Sequence, residues 1–361
     1  MNAADDRSLA EWLLEQGGPT IRYRAAAELF DDPAGVDVEE LAARVLATEA
    51  VRSWLQLLDR PGGVGDLHSS NPGAFENAMG KLFELGVGAG MPPLDAKTGP
   101  FRRWLAEKLD AGSVGVGRFY VRLVTGALAR SGYCSDGAVR ESLLRTLGCL
   151  YRTAREGSCD IWLAPEECRD LPKACQGKPL IRPEFVFDGE TPLPLIHDMY
   201  GFSGLPPGML DAGTKRRIAA IIGYILRPEF QALPDGYGYF LDSRRRQVWA
   251  HGWGVRLPGT SGFDAEAREG AYFLQRLELM AHFPRAAQSQ WFRNSLRHLE
   301  GYRTDEGTYR LPARYLREQR SGYYVTGAYM GLGESRRSGR GIEIESTFRV
   351  LLIRRLARGA G

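Results

Sequence analysis

Asp235-Gly236-Tyr237-Gly238-Tyr239-Phe240-Leu241 returns about 70 residues later as Asp305-Glu306-Gly307-Thr308-Tyr309-Arg310-Leu311. Each stretch follows a helical period. Each leads through basic residues to a glycine-aromatic pair, Gly252-Trp253 and Gly322-Tyr323. The spacing is about the length of one helical hairpin with its loops. A hairpin that cannot bury its own face alone predicts a closed or stacked array. Glycine frees the backbone for the turn, and the aromatic ring seals the turn against a neighbouring helix.

Working outward, helical periods fill most of the chain. Leu9, Trp12, Leu13 and Gln16 share a face until Gly17-Gly18-Pro19 stops the run. Thr20 is the expected cap of the next helix, which Asp31-Asp32-Pro33 ends. Glu39 to Leu58 reads as two short helices. Ala74–Leu85, Phe101–Leu109, Val116–Arg130 and Val139–Arg155 follow, the last capped by Asp136. Helices resume at Leu195–Phe202, Ala212–Leu226, Ala265–His282, Arg285–Tyr302 and Ile342–Ala357. With no strands alternating between them, the expected class is all-α, one domain over residues 1–361. Glu156 to Pro194 breaks the pattern with three cysteines and six prolines. Its apolar residues, Trp162, Leu180, Ile181, Phe185 and Phe187 among them, predict an ordered covering loop.

Composition excludes several classes. The chain has 361 residues and a formal net charge of +3, too nearly balanced to call for nucleic acid. Two cationic clusters stand out: Arg244-Arg245-Arg246, and seven arginines between Arg336 and Arg358. The latter suit either a phosphate or carboxylate clamp or a solvated helix face. No uncharged apolar run approaches 18 residues, so no membrane span is expected. Met1 to Glu11 is polar and acidic, and the cysteine count is odd. Both set the cytoplasm as the expected location. Cys159, Cys168 and Cys175 lack a Cys-x-x-Cys pair, so no metal is expected, and no cofactor.

The glycine-and-aromatic turns closing helix hairpins resemble the repeats of squalene cyclases and prenyltransferase β subunits. Gly18-Pro19-Thr20-Ile21-Arg22-Tyr23-Arg24, Pro192-Leu193-Pro194-Leu195-Ile196-His197-Asp198 and Gly331-Leu332-Gly333-Glu334-Ser335-Arg336-Arg337 resemble stretches of bacterial squalene-cyclase-like proteins. The resemblance implies an α/α toroid with a central cavity and a hydrophobic, isoprenoid-like small molecule as ligand. The acidic Asp-x-Asp-Asp motif of those cyclases is absent. The Asp-Asp pairs here are Asp5-Asp6 and Asp31-Asp32. Three functions stay open: an enzyme of cyclase or transferase type, a carbohydrate-active toroid, and a binding or scaffold protein.

Acid–base chemistry needs a group with a shifted proton affinity among apolar neighbours. Four residues meet that description by sequence. Asp160 lies beside Trp162, His197 and Asp198 begin an apolar helix, and Glu345 shares a stripe with Phe348 and Arg349. Each also has a structural reading as turn residue, cap or ion pair. Trp162, Tyr237, Trp253 and Tyr309 are candidates to line a ligand, and Arg349 to hold a carboxylate. The same rings serve as well to seal turns. The oligomeric state is left open.

Overall fold

The computed structural model describes residues 3–33, 35–59, 64–169, 171, 173–242, 247–260 and 270–359. The structure is 58% helical, with one two-stranded sheet among the described residues, which places it in the expected all-α class. The helices are α1 (Ala3–Gln16), α2 (Pro19–Glu28), α3 (Val38–Leu46), α4 (Glu49–Gln56), α5 (Phe75–Glu84), α6 (Pro92–Asp110), α7 (Val116–Arg130) and α8 (Gly137–Glu156). They continue as α9 (Ile196–Ser203), α10 (Ala212–Ile225), α11 (Pro228–Gln231), α12 (Ala271–Ala281), α13 (Pro284–Ala287), α14 (Gln290–Glu300) and α15 (Gly339–Gly359). The chain forms two compact units. The end unit joins Met1–Pro100 to Phe263–Gly361, and the middle unit is Phe101–Gly262. Among the described residues, no helix is long and apolar enough to cross a membrane.

Side-chain caps set many of the helix starts. Thr48 accepts from Val51 N at 3.3 Å and splits the Glu39–Leu58 stretch into α3 and α4. Asp136 accepts from Ala138 N at 3.0 Å and starts α8, as its position suggested. The expected cap Thr20 instead lies inside α2. Gly18 is the N-cap there, because Pro19 needs no hydrogen-bond partner at the first helical position. The Ala265–His282 helix is described from α12 onward; residues 265–269 lie outside the described residues, as do Arg244, Arg245 and Arg246.

The end unit has its apolar centre where α1, α2 and α15 meet. Leu13, Ile21, Ala25, Phe348 and Leu352 are buried there. Each large side chain so enclosed contributes about 1.5–3 kcal/mol. The second copy of the repeat lies in this unit and is a tight turn. Gly307 N donates to Thr304 O at 2.9 Å, and Tyr309 N and Leu311 N donate to the hydroxyls of Thr347 and Ser346 on α15.

The first copy is not a helix turn. Its residues enter the antiparallel hairpin of β1 (Gly238–Asp242) and β2 (Gln247–His251), with Gly238 opposite His251 and Asp242 opposite Gln247. The Tyr-Phe-Leu and Val-Trp runs favour strand because β-branched and aromatic side chains fit a pleated surface. The hairpin is extended by the irregular segment that precedes α9. Leu180 bridges Tyr239 in parallel and Trp162 bridges Ile181 in antiparallel fashion. The 156–194 segment is therefore built onto the sheet by backbone bonds, including Ile181 N to Tyr239 O at 2.7 Å.

Candidate functional site

A cleft of about 370 Å³ opens in the middle unit. One side is the chain entering α7, at Val114 and Gly115. The other walls are the irregular segment, at Leu163, Leu180, Ile181 and Val186, and β1, at Phe240 and Leu241. The lining is mostly apolar, and among the described residues its charged side chains are Asp188 and Asp242.

Local geometry explains this placement. Gly115 has φ +52°, a region that glycine enters without a Cβ clash. Its N–H donates to Asp188 Oδ2 at 2.8 Å. A Cβ at Gly115 would lie 3.5 Å from Asp242 Oδ2. The two carboxylates are therefore within about 9 Å of each other, given fixed backbone dimensions. Asp188 is aimed by a turn that only glycine closes: a Cβ at Gly189 would sit 2.2 Å from the Glu184 carbonyl oxygen. Gly189 N donates back to Val186 O at 2.9 Å.

Rings support the cleft from behind. Phe187 stacks on His251 with centroids 4.1 Å apart and meets Phe240 and Phe119 edge-on or tilted at 5.4 Å. His251 is wholly buried, and loss of hydration pushes its pKa down to about 3; the nearby Arg122 charge acts in the same direction. It is a neutral, flat packing element at neutral pH.

Of the sequence candidates in the middle unit, Asp160 is 80% exposed and pairs with Arg182 at 2.6 Å. His197 is buried, with its ring edge-on to Phe119 at 5.6 Å. Asp198 is buried and held by Nε and Nη2 of Arg122, the Nε bond being 3.0 Å; it also accepts from Leu195 N at 2.7 Å and so starts α9. Trp162 Nε1 donates to Tyr237 O at 3.0 Å. Tyr237 is buried with φ +51°, and its hydroxyl donates to Pro194 O at 2.6 Å. Burial raises that phenol well above its usual range. Trp253 has φ +67°, and its carbonyl accepts from Ile196 N at 3.0 Å. The aromatic candidates here seal junctions between segments.

The end unit holds the other three. Glu345 is buried and accepts from Leu332 N at 2.9 Å and Glu334 N at 3.0 Å, with Arg336 on its second oxygen. Burial raises its pKa, against the pull of Arg336 and of these N–H groups. The expected partner of Glu345, Arg349, is engaged elsewhere. Wholly buried, Arg349 reaches Glu278 Oε2 at 2.6 Å, Glu84 Oε2 at 2.7 Å and Met330 O at 2.7 Å. The two carboxylates raise its already high pKa, outweighing the burial that opposes them. The phenol of Tyr324 donates to Glu84 Oε1 at 2.5 Å. Tyr309 donates to Glu300 Oε2 at 2.9 Å, and burial pushes its pKa up to about 12. His68 Nδ1 lies 2.5 Å from Glu76 Oε2, a contact between metal-ligand types that a plain hydrogen bond also accounts for.

None of the four acid–base candidates lines the cleft. Asp188 and Asp242 were missed because each is an isolated aspartate with no motif. The Asp188-Gly189 dipeptide, a turn signal within an apolar stretch, was the available clue. Comparison with protein-family models, with curated proteins and with solved structures found no match for this chain.

Proposed function

We propose that the protein binds a small hydrophobic molecule in the cleft of the middle unit. The observation that carries this reading is the cleft itself: apolar walls, about 370 Å³, and two carboxylates at one backbone position. Ligand sites are commonly apolar concavities of this size with a few placed polar groups. The likeness to squalene cyclases points to the same ligand class, and the α/α toroid stays with it as part of the proposal. The five free thiols suit the reducing cytoplasm.

Catalysis is the second reading, on a specific ground. Two carboxylates on one cleft are what acid–base chemistry and glycoside cleavage both use. In that case Asp188 and Asp242, which line the cleft, act on the ligand, and the buried Asp198 and Glu345, which do not line it, take no part.

The test is titration with the neutral fluorophore N-phenyl-1-naphthylamine. Wild type is expected to bind it saturably at one site. Val114, 39% exposed, can be enlarged without entering the core. Val114→Trp is expected to fill the cleft and abolish the signal while the melting temperature holds. No saturable binding, or full binding by the variant, would overturn the reading.

A further inference from the structure

The arginine-rich carboxyl end borders a second cavity, of about 350 Å³, within the end unit. It is a groove formed by α13, α14, α15 and the start of α1. Phe292 and Leu296, one turn apart on α14, give it an apolar floor, and Ala287 of α13 faces them. Arg293, Arg354 and Arg358 supply its cations, and Asp6 its carboxylate.

The charges do not cancel. Arg354 reaches Asp6 Oδ1 at 2.8 Å with one nitrogen and Glu300 with another. Arg358 meets Asp6 Oδ2 at 2.5 Å and stays half exposed. Arg293 instead donates to Gln288 O at 2.7 Å and Gln290 Oε1 at 3.0 Å, both neutral acceptors. Among the described residues it has no carboxylate partner. Three guanidiniums thus line a groove whose one carboxylate among the described residues is Asp6; Glu300, outside the lining, offsets Arg354, and the surplus charge sits beside the apolar floor. A solvated helix face explains exposed arginines, but not their convergence on a concave apolar surface.

We infer that this groove binds a free anionic amphiphile, an alkyl chain ending in a carboxylate. The chain lies over Phe292 and Leu296, and the head bonds Arg293 and the exposed side of Arg358. Guanidinium suits this head because its planar fork matches a carboxylate in two parallel hydrogen bonds. The inference uses none of the residues of the middle-unit cleft, so either site can fail alone.

Calorimetry with decanoate tests it, in the Val114→Trp background so that the cleft contributes nothing. One equivalent of decanoate should bind, with decanol and decyltrimethylammonium at least tenfold weaker. Arg293→Gln, an exposed change that spares the fold, should weaken decanoate about tenfold, the scale of one charge-assisted bond. Ala287→Trp should fill the groove and abolish binding, with the melting temperature as the check on folding. Equal affinity for decanol, no effect of Arg293→Gln, or no decanoate binding overturns the proposal. A parallel arm uses phosphatidylglycerol vesicles. Binding to these without binding to decanoate would put the anion on a lipid surface, and that also overturns a free ligand.

Discussion

Carboxylates are treated in opposite ways in the core of the end unit and in the cleft of the middle unit. In the end unit Glu84, Glu278 and Glu345 are buried and each meets an arginine; Glu84 also accepts from the Tyr324 phenol and Glu345 from two backbone N–H groups. In the middle unit's cleft Asp188 accepts one backbone N–H and stands beside apolar walls open to solvent. Both settings put acids among apolar residues. What separates them is burial against a guanidinium partner in one setting and exposure with a single neutral donor in the other. A buried carboxylate held by a guanidinium fixes a fold, whereas one exposed at a concave surface can meet a ligand.

The largest expected effect tests the buried end. Arg349→Ala removes the cation shared by Glu84 and Glu278, leaving Glu84 with the Tyr324 phenol and the more distant Arg24 at 3.7 Å, and Glu278 buried without its arginine. Breaking a buried pair costs about 3–5 kcal/mol. Urea unfolding should show a loss of that order. A loss under 1 kcal/mol would mean that these acids take up protons or water easily, and the contrast between core and cleft would fall. Asp198→Ala, which strands Arg122, is the matching case inside the middle unit and should cost a similar amount.

Next in size is a pH effect from the rings behind the cleft. Folding lowers the His251 pKa from 6.5 to about 3. Between those values the unfolded chain binds a proton that the folded chain refuses. Stability from this group is therefore full above pH 6.5 and falls as pH drops towards 3, by up to about 1.4 kcal/mol per pH unit. His251→Phe keeps a flat ring against Phe187 and cannot titrate. Melting curves at pH 7 and pH 5 should separate the two proteins, with the variant losing less. Parallel losses would show that His251 reaches water or a partner when folded, and the cleft would not have a dry support.

A smaller effect concerns the latch between Asp188 and Gly115. Asp188→Ala removes one hydrogen bond to a backbone N–H at a partly exposed site, a change of about 0.5–1.5 kcal/mol. The effect should be local. Amide exchange at Gly115 should quicken while α8 and α10 keep their protection. Unchanged exchange at Gly115 would mean that Asp188 is not held there.

How much of this was legible in sequence follows from the range of each interaction. The start of α8 was readable because Asp136 acts on N–H groups two and three residues ahead, whereas Thr20 was misplaced as a cap because Pro19 already opens α2. The hairpin was not readable, since Tyr237-Gly238 reads equally as a turn, and its strand character depends on pairing with 179–181, some 60 residues earlier. The two repeat copies have similar residues and different structures for the same reason. Thr347 and Ser346 dock the second copy on a helix, while Pro179 and Ile181 dock the first on a strand. Arg349 was read as the partly buried ion-pair partner of Glu345 on one stripe, but its acids come from positions 84 and 278 on other helices. Asp188 reaches Gly115 across 73 residues. Local pattern carries no information about such pairs, which is why the candidate acids were placed by neighbours in sequence and not by neighbours in space.

The smallest expected effect is at Asp160, and it sharpens the comparison from the exposed side. Asp160 stands in water, 80% exposed, against Arg182. Removing its charge in Asp160→Asn leaves Arg182 well supplied. That guanidinium still donates to the Asp160 backbone carbonyl, still lies 3.9 Å from Glu184, and still covers the Phe185 ring at 5.7 Å. An exposed ion pair contributes little because water screens it and two long side chains must be held still. Stability should therefore change by no more than about 0.5 kcal/mol. Fluorophore binding in the cleft should not change at all, since Asp160 does not line it. A carboxylate can thus fail as a functional group in two ways, by being buried against a guanidinium or by having only water. Loss of binding in Asp160→Asn with an unchanged melting temperature would break this argument. It would return the acid beside Trp162 to the site and remove Asp188 from its place there.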